Sequence, residues 1–128
     1  MSEQFKPPIV YHVEDYDFTQ KQVQAVVARL GGQVIRTDDT VESALAYINS
    51  GLPPELTHAI VDGVLKDGPS SPVIDALNLA RITKKLSYAV IGLASEPLAN
   101  VDQSILKFGT SSAVTELFAV FQTAEPTP

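Results

Sequence analysis

The chain has 128 residues, 45% of them hydrophobic, and a formal net charge of -6. That length suits one domain with a real core, and the acidic balance argues against polyanionic partners such as nucleic acid or an anionic membrane. There is no cysteine, which excludes disulfides, thiolate metal sites and cysteine nucleophiles.

The lead-in, residues 1 to 8, has no apolar segment of signal-peptide type and ends in Pro7-Pro8. No apolar stretch is long enough to cross a bilayer, so a cytoplasmic location without membrane contact is expected. Ile9 to Val13 is a continuous apolar run, the mark of a strand buried on both faces. A helix starts near Asp17 or Phe18. Val23, Val26, Val27 and Leu30 keep helical spacing, and Gly31-Gly32 stops it. Gln33 to Thr37 reads as a short second strand. Asp39 or Thr40 can cap the next helix, with a buried stripe of Val41, Ala44, Leu45 and Ile48. Asn49-Ser50-Gly51 ends that helix, and Pro53-Pro54 forbid its continuation. Thr57 to Val61 is the third strand.

Gly63 to Ser71 is a turn-rich loop. Ser71 is read as a helix cap with Pro72 at the first helical position. Val73, Ile74, Leu77 and Ala80 form the apolar face of this helix, and Lys84-Lys85 suit its negative end. Tyr88 to Leu93 is the fourth strand and Ile105-Leu106 a short fifth. The last helix begins near Ser111 or Ser112 and uses Val114, Leu117, Phe118 and Phe121.

Strands alternating with helices imply a parallel sheet with right-handed crossovers. The expected fold is α/β: a three-layer α/β/α sandwich on a five-stranded parallel sheet. A single domain is expected over residues 1 to 128, with its core at 9 to 121 and tails at 1 to 8 and 123 to 128. A flavodoxin-like strand order, 2-1-3-4-5, sets the first and third strands side by side at the switch point. That order is assumed rather than read from the residues. It brings Glu14 and Asp15, at the end of the first strand, to Asp62, at the end of the third. Three close carboxylates repel one another, so such a site must protonate one of them or bind a cation. Hard oxygen ligands suit Mg²⁺.

Residues 9 to 121 resemble the receiver domain of two-component response regulators (CheY-like). Ile9-Val10-Tyr11-His12-Val13-Glu14-Asp15 is similar to the receiver strand that ends in an acidic pair. Thr37 to Leu45 is similar to the second strand and helix, and His58-Ala59-Ile60-Val61-Asp62 to the strand that ends at the phosphoacceptor. Lys107 matches the phosphate-facing lysine. The resemblance implies phosphoryl transfer to Asp62 from a histidine kinase or phosphotransfer protein, with a downstream protein partner reading the result. It implies Mg²⁺ held by Glu14, Asp15, Asp62 and the Val64 backbone carbonyl, and Lys107 in contact with the phosphoryl group. The chain is then a stand-alone phosphoacceptor and not an enzyme.

The chain departs from the family on the output side. Ala94 stands where receivers carry Thr or Ser, with Ser95 next to it. Ser104 stands where an aromatic is usual, and Phe108-Gly109 where a proline follows the lysine. The loop after Asp62 lacks the usual Met-Pro. Only residues 96 to 103 separate Ser95 from Ser104, and Pro97 and Asn100 are among them. A full fourth helix does not fit there, so it is expected to be shortened or missing. These departures support an alternative function: a pseudo-receiver, an interaction module independent of phosphorylation. The shortened region could also free the fourth and fifth strands for a homodimer contact.

Each candidate has a plain structural reading too. Glu14-Asp15 could cap the first helix, Asp62-Gly63 could be an ordinary turn, and Lys107 could be solvated. His12 reads as a hydrogen-bonded interior or semi-buried residue. Asp38-Asp39 read as turn and cap residues. A metal-assisted hydrolase on the same topology ranks last, because Val64 stands where phosphatases place a second acid. No glycine-rich loop follows the first strand, which argues against nucleotide binding.

Overall fold

The computed structural model describes residues 6 to 107 and 112 to 122. Five strands form one parallel sheet: β1 (Ile9–Val13), β2 (Gln33–Asp38), β3 (His58–Val61), β6 (Ala89–Ala94) and β7 (Gln103–Leu106). Their order is β2-β1-β3-β6-β7, so the expected flavodoxin-like arrangement holds. A second, two-stranded antiparallel sheet pairs β4 (Val64–Leu65) with β5 (Gly68–Pro69). The helices are α1 (Asp17–Arg29), α2 (Val41–Ser50), α3 (Ser71–Thr83) and α4 (Ala113–Gln122).

Side chains alternate across the sheet, and each face takes its own pair of helices. Tyr11, Val13, Ala59, Val61 and Val90 pack with Ala44 and Ile48 of α2 and Val73, Ile74 and Leu77 of α3. On the other face, Val10, Ile60, Ile91 and Ile105 pack with Val23, Val26 and Val27 of α1 and Leu117, Val120 and Phe121 of α4. The central strands read as unbroken apolar runs because both faces are covered.

No helix follows β6. Residues 95 to 102 instead form a strap without regular structure. Its half-buried Leu98 and Val101 pack against the α2/α3 core. The strap is tied at several points. Asp102 Oδ2 accepts from Val90 N at 2.7 Å and from Arg81 Nη1 at 2.5 Å. Asn78 Nδ2 donates to Asn100 O at 2.8 Å, and Leu98 N donates to Ser104 Oγ at 3.1 Å.

Several local expectations change. Asp38 is not a turn residue: it ends β2 and is buried. Arg36 reaches it in bidentate fashion, at 2.8 and 2.9 Å, and Tyr11 Oη donates to it at 2.6 Å. Burial works to raise its pKa, but these partners outweigh burial and hold it below the usual carboxylate value. Of the two candidate caps for α2, Thr40 is the one used: its side chain accepts from Ser43 N. Ser70, rather than Ser71, precedes α3, which puts Pro72 second in the helix. The loop after Asp62 contains the β4-β5 hairpin. The proposed start at Ser111, the Phe108-Gly109 substitution and the terminal tails (1 to 5 and 123 to 128) lie outside the described residues.

His12 is fully buried, but neither ring nitrogen has a hydrogen-bond partner among the described residues. Burial, with nearby Lys107 adding to it, depresses its pKa to about 3. His58, edge-on to Phe121 at 4.9 Å, is depressed to about 4 by burial. A base lowered in the folded state keeps full stability above its unfolded value near 6.5 and withdraws it as pH falls through the folded value. His12→Leu is therefore expected to shrink the stability lost between pH 7 and pH 4, by up to about 3 kcal/mol. Urea unfolding at the two pH values measures this; an unchanged loss would mean that folding does not depress His12.

Candidate functional site

The site is built by strand ends. Val13 pairs with Val61 in adjacent parallel strands, so the residues that follow them emerge side by side. Asp62 N donates to Val13 O at 2.9 Å and Glu14 N to Asp38 O at 2.9 Å, which carries the ladder one residue beyond each strand. Gln20 Nε2 donates to Glu14 O at 2.7 Å and holds the β1–α1 turn. Lys107 N donates to Ala94 O at 2.8 Å and aligns the lysine with the end of β6.

Glu14, Asp15 and Asp62 each offer a carboxylate oxygen, and these oxygens all lie within 4.8 Å of one another. The structure thus brings together the three acids that the sequence singled out, along with Lys107. Lys107 Nζ lies 3.0 Å from both Glu14 carboxylate oxygens and 3.3 Å from Asp62 Oδ1. Oε1 of Glu14 makes the ion-pair contact without a hydrogen bond. Oε2 also accepts from Tyr16 N at 3.2 Å. Asp62 Oδ1 accepts from Gly63 N at 2.7 Å.

Glu14 is fully buried. Burial, reinforced by neighbouring Asp62, pushes its carboxyl up to about 8, although Lys107 opposes the shift. An all-oxygen cluster that combines a strained buried acid with a half-buried Asp15 fits a small divalent cation, whose charge removes the cause of the upward shift.

Above Asp62 lies a cavity of about 380 Å³ lined by Tyr16, Asp62, Val64, Ser95, Leu98 and Lys107 among others. Ala94 lines it without a hydroxyl, and the β6–β7 ladder is regular to its end, so no bulge turns Ser95 into the place of Ala94. Ser95 is exposed at the cavity wall instead. Sequence reasoning missed Leu98. A Cβ on Gly92 would stand 3.0 Å from its Cδ1, and one on Gly63 3.1 Å from its Cδ2. The two glycines leave room for this leucine, and no local pattern announces its contact with Gly63, which is remote in the chain. Tyr16 and Val64, both more than half exposed, form an apolar rim to the cavity.

Solved structures share this architecture. The response regulator PhyR from Brucella abortus superposes with a TM-score of 0.68 at 18% identity, over 93% of this chain and 49% of that one. CheY from Borrelia burgdorferi, solved with CheX, BeF3 and Mg²⁺, gives 0.70 at 18% identity over 89% and 87%. The HemR receiver domain from Leptospira biflexa gives 0.69 at 17% identity over 94% and 99%. The chain has the receiver-domain fold. It spans about half the length of the PhyR chain. No protein-family model and no curated protein matches it. No described helix is long and apolar enough to cross a membrane.

Two outcomes follow from this geometry. An acid whose pKa is raised on folding withdraws stability as pH climbs from its unfolded value, near 4.5, to its folded one. In metal-free buffer, Glu14 is expected to withdraw stability between pH 4.5 and 8, against the gain that the two buried histidines supply up to about 6.5. Glu14→Gln should therefore become progressively more stable relative to wild type as pH rises; thermal unfolding of the two proteins across the range measures that difference. Gly92→Ala is expected to cost about 1–3 kcal/mol by overpacking against Leu98. Combined with Leu98→Ala it should cost less than the two single changes added together, and strict additivity in urea unfolding would remove Leu98 as the cause.

Proposed function

We propose that this chain is a phosphoacceptor receiver in two-component signalling, with Asp62 as the acceptor. The observation that carries the reading is the convergence of Glu14, Asp15 and Asp62 within 4.8 Å beside Lys107, with Asp62 and Lys107 lining a cavity. Asp62 Oδ1 is engaged by Gly63 N–H and Lys107. Oδ2 is therefore the oxygen assigned to in-line attack on phosphorus. The Oδ2–P bond forms as the P–N bond to the donor's imidazole breaks; the imidazole nitrogen keeps the electron pair and is reprotonated from solvent. Lys107 exchanges its contact with Oδ1 for one with a phosphoryl oxygen, as a point charge. Glu14, Asp15, Asp62 and the Val64 carbonyl are the groups assigned to hold Mg²⁺, which when bound neutralises charge on the phosphoryl oxygens.

The donor is a histidine kinase or a phosphotransfer protein, and a downstream protein reads the product in the cytoplasm. The chain is a substrate of transfer rather than an enzyme in its own right. The Borrelia CheY, solved with CheX, BeF3 and Mg²⁺, supports the assignment by likeness of fold. A second reading is a pseudo-receiver that binds its partner regardless of phosphate. It is favoured by Ala94 at the cavity wall, Ser104 in the aromatic's place and the missing helix.

Acetyl phosphate with Mg²⁺, followed by intact mass, tests the first reading. Wild type is expected to gain the mass of one phosphoryl group. Asp62→Ala should gain none, and Glu14→Gln should react at least about tenfold more slowly, in line with losing a group that supports the metal. A wild type that gains nothing favours the pseudo-receiver.

A further inference from the structure

The cavity above Asp62 has two walls, and they are held differently. The strap is locked. Leu98 fills the space over Gly92 and Gly63, and Ser104, Asn78, Arg81 and Val90 fasten its backbone or its Asp102. Its only tie toward the acceptor is apolar packing. Across the cavity stand Gly63 and Val64, the root of the β4-β5 hairpin, where the chain is hydrogen-bonded to the acceptor. Gly63 N donates to Asp62 Oδ1 at 2.7 Å, and Ser70 N closes the hairpin on Gly63 O at 3.0 Å.

The hairpin's far end rests on the start of α2. Asp67 Oδ1 accepts from Val41 N at 2.6 Å, and Oδ2 accepts from Glu42 N at 3.1 Å. Lys66 N donates to Asp39 O at 3.3 Å, and Lys66 Nζ lies 2.6 Å from Asp39 Oδ2. Asp67 thus caps a helix that is remote in sequence. Hydrogen bonds to backbone donors hold its carboxyl below the usual range. The first turn of α2 has two caps: its own Thr40, and Asp67 delivered by the loop that carries the acceptor.

We propose that chemical change at Asp62 is relayed through this hairpin to the first turn of α2, in place of a relay through the β6–β7 side. The inference rests on the phosphoacceptor reading. When Oδ2 is esterified, Oδ1 changes from a carboxylate oxygen to a neutral acyl oxygen. The charge-assisted bond from Gly63 N–H weakens, since such bonds are roughly twice as strong as neutral ones. Gly63 is the hinge of the hairpin, so the displacement is carried to Asp67 and loosens its hold on Val41 and Glu42. The strap has no hydrogen bond to Asp62 through which to respond.

The test is amide hydrogen exchange by NMR on the full chain, with and without beryllofluoride and Mg²⁺. A shift of the Gly63 amide reports engagement of Asp62. With it, the Val41 and Glu42 amides are expected to exchange about five- to tenfold faster, the size of a lost cap. The Val90, Leu98 and Asp102 amides should stay unchanged. In Asp67→Ala, exposed and outside the acidic cluster, the two α2 amides should already exchange fast and should not respond further, while Gly63 still shifts. A Gly63 shift with unchanged α2 amides, or with changes confined to the strap, overturns the relay and leaves the acceptor reading standing. No Gly63 shift overturns both.

Discussion

Three carboxylates meet at one sheet edge because two parallel strands, β1 and β3, are neighbours and end in acids at the same level. Left alone, that arrangement is unstable: like charges at a few ångströms repel, and a fully buried one is further penalised by lost hydration. The chain meets this with Lys107, which β7 delivers to within 3.3 Å of Asp62 and 3.0 Å of Glu14. The lysine is half-buried and cannot fully compensate, as the raised Glu14 carboxyl shows. The residual repulsion leaves a set of oxygen ligands that further positive charge would fit. Sheet order, acid placement and lysine position form one electrostatic unit, and each makes sense only with the other two.

Around that unit the two sides are built differently. A strap stands in the place of a helix after β6, and small residues absorb the change. Gly92 and Gly63 open a slot for Leu98, while Ser104 spends its hydroxyl on the strap backbone. A side chain used as a fastener is not free to rotate between two positions. The opposite side is built of polar contacts, from Gly63 through the hairpin to Asp67 and the first turn of α2. The two walls therefore differ in kind, one packed and one hydrogen-bonded. Asp62 itself touches both sides through polar groups, Gly63 N–H at the root of the hairpin and Lys107 after β7.

Buried polar groups elsewhere are handled in two ways. Asp38 is satisfied by Arg36 and Tyr11, and Arg36 also lies 4.5 Å from the Tyr47 ring centroid. His12 has no hydrogen-bond partner among the described residues and lies on the α1/α4 side of β1, beside that apolar core. The first costs little because every charge has a partner; the second is tolerable because the imidazole remains neutral.

Apolar period and punctuation were enough to place β1, α1, α2, β3 and α3, because hydrophobic spacing and stop residues act within a few positions of the chain. The acids 14, 15 and 62 and Lys107 were legible as strand-end residues. The missing helix was legible too, since residues 96 to 103 are too few to form one. Asp38 was misread as a turn because its partners, Arg36 and Tyr11, become visible only when β1 and β2 lie side by side. Val120 in α4, the hairpin and the role of Asp67 escaped for the same reason. An Asp-Gly dipeptide announces a turn but not the helix its carboxylate will cap 26 positions back. Local chemistry thus determined the elements and the identity of the charged residues. Strand order, which the chain alone leaves open, decided which charges must share one place, because electrostatic and hydrogen-bond energies depend on distance in space.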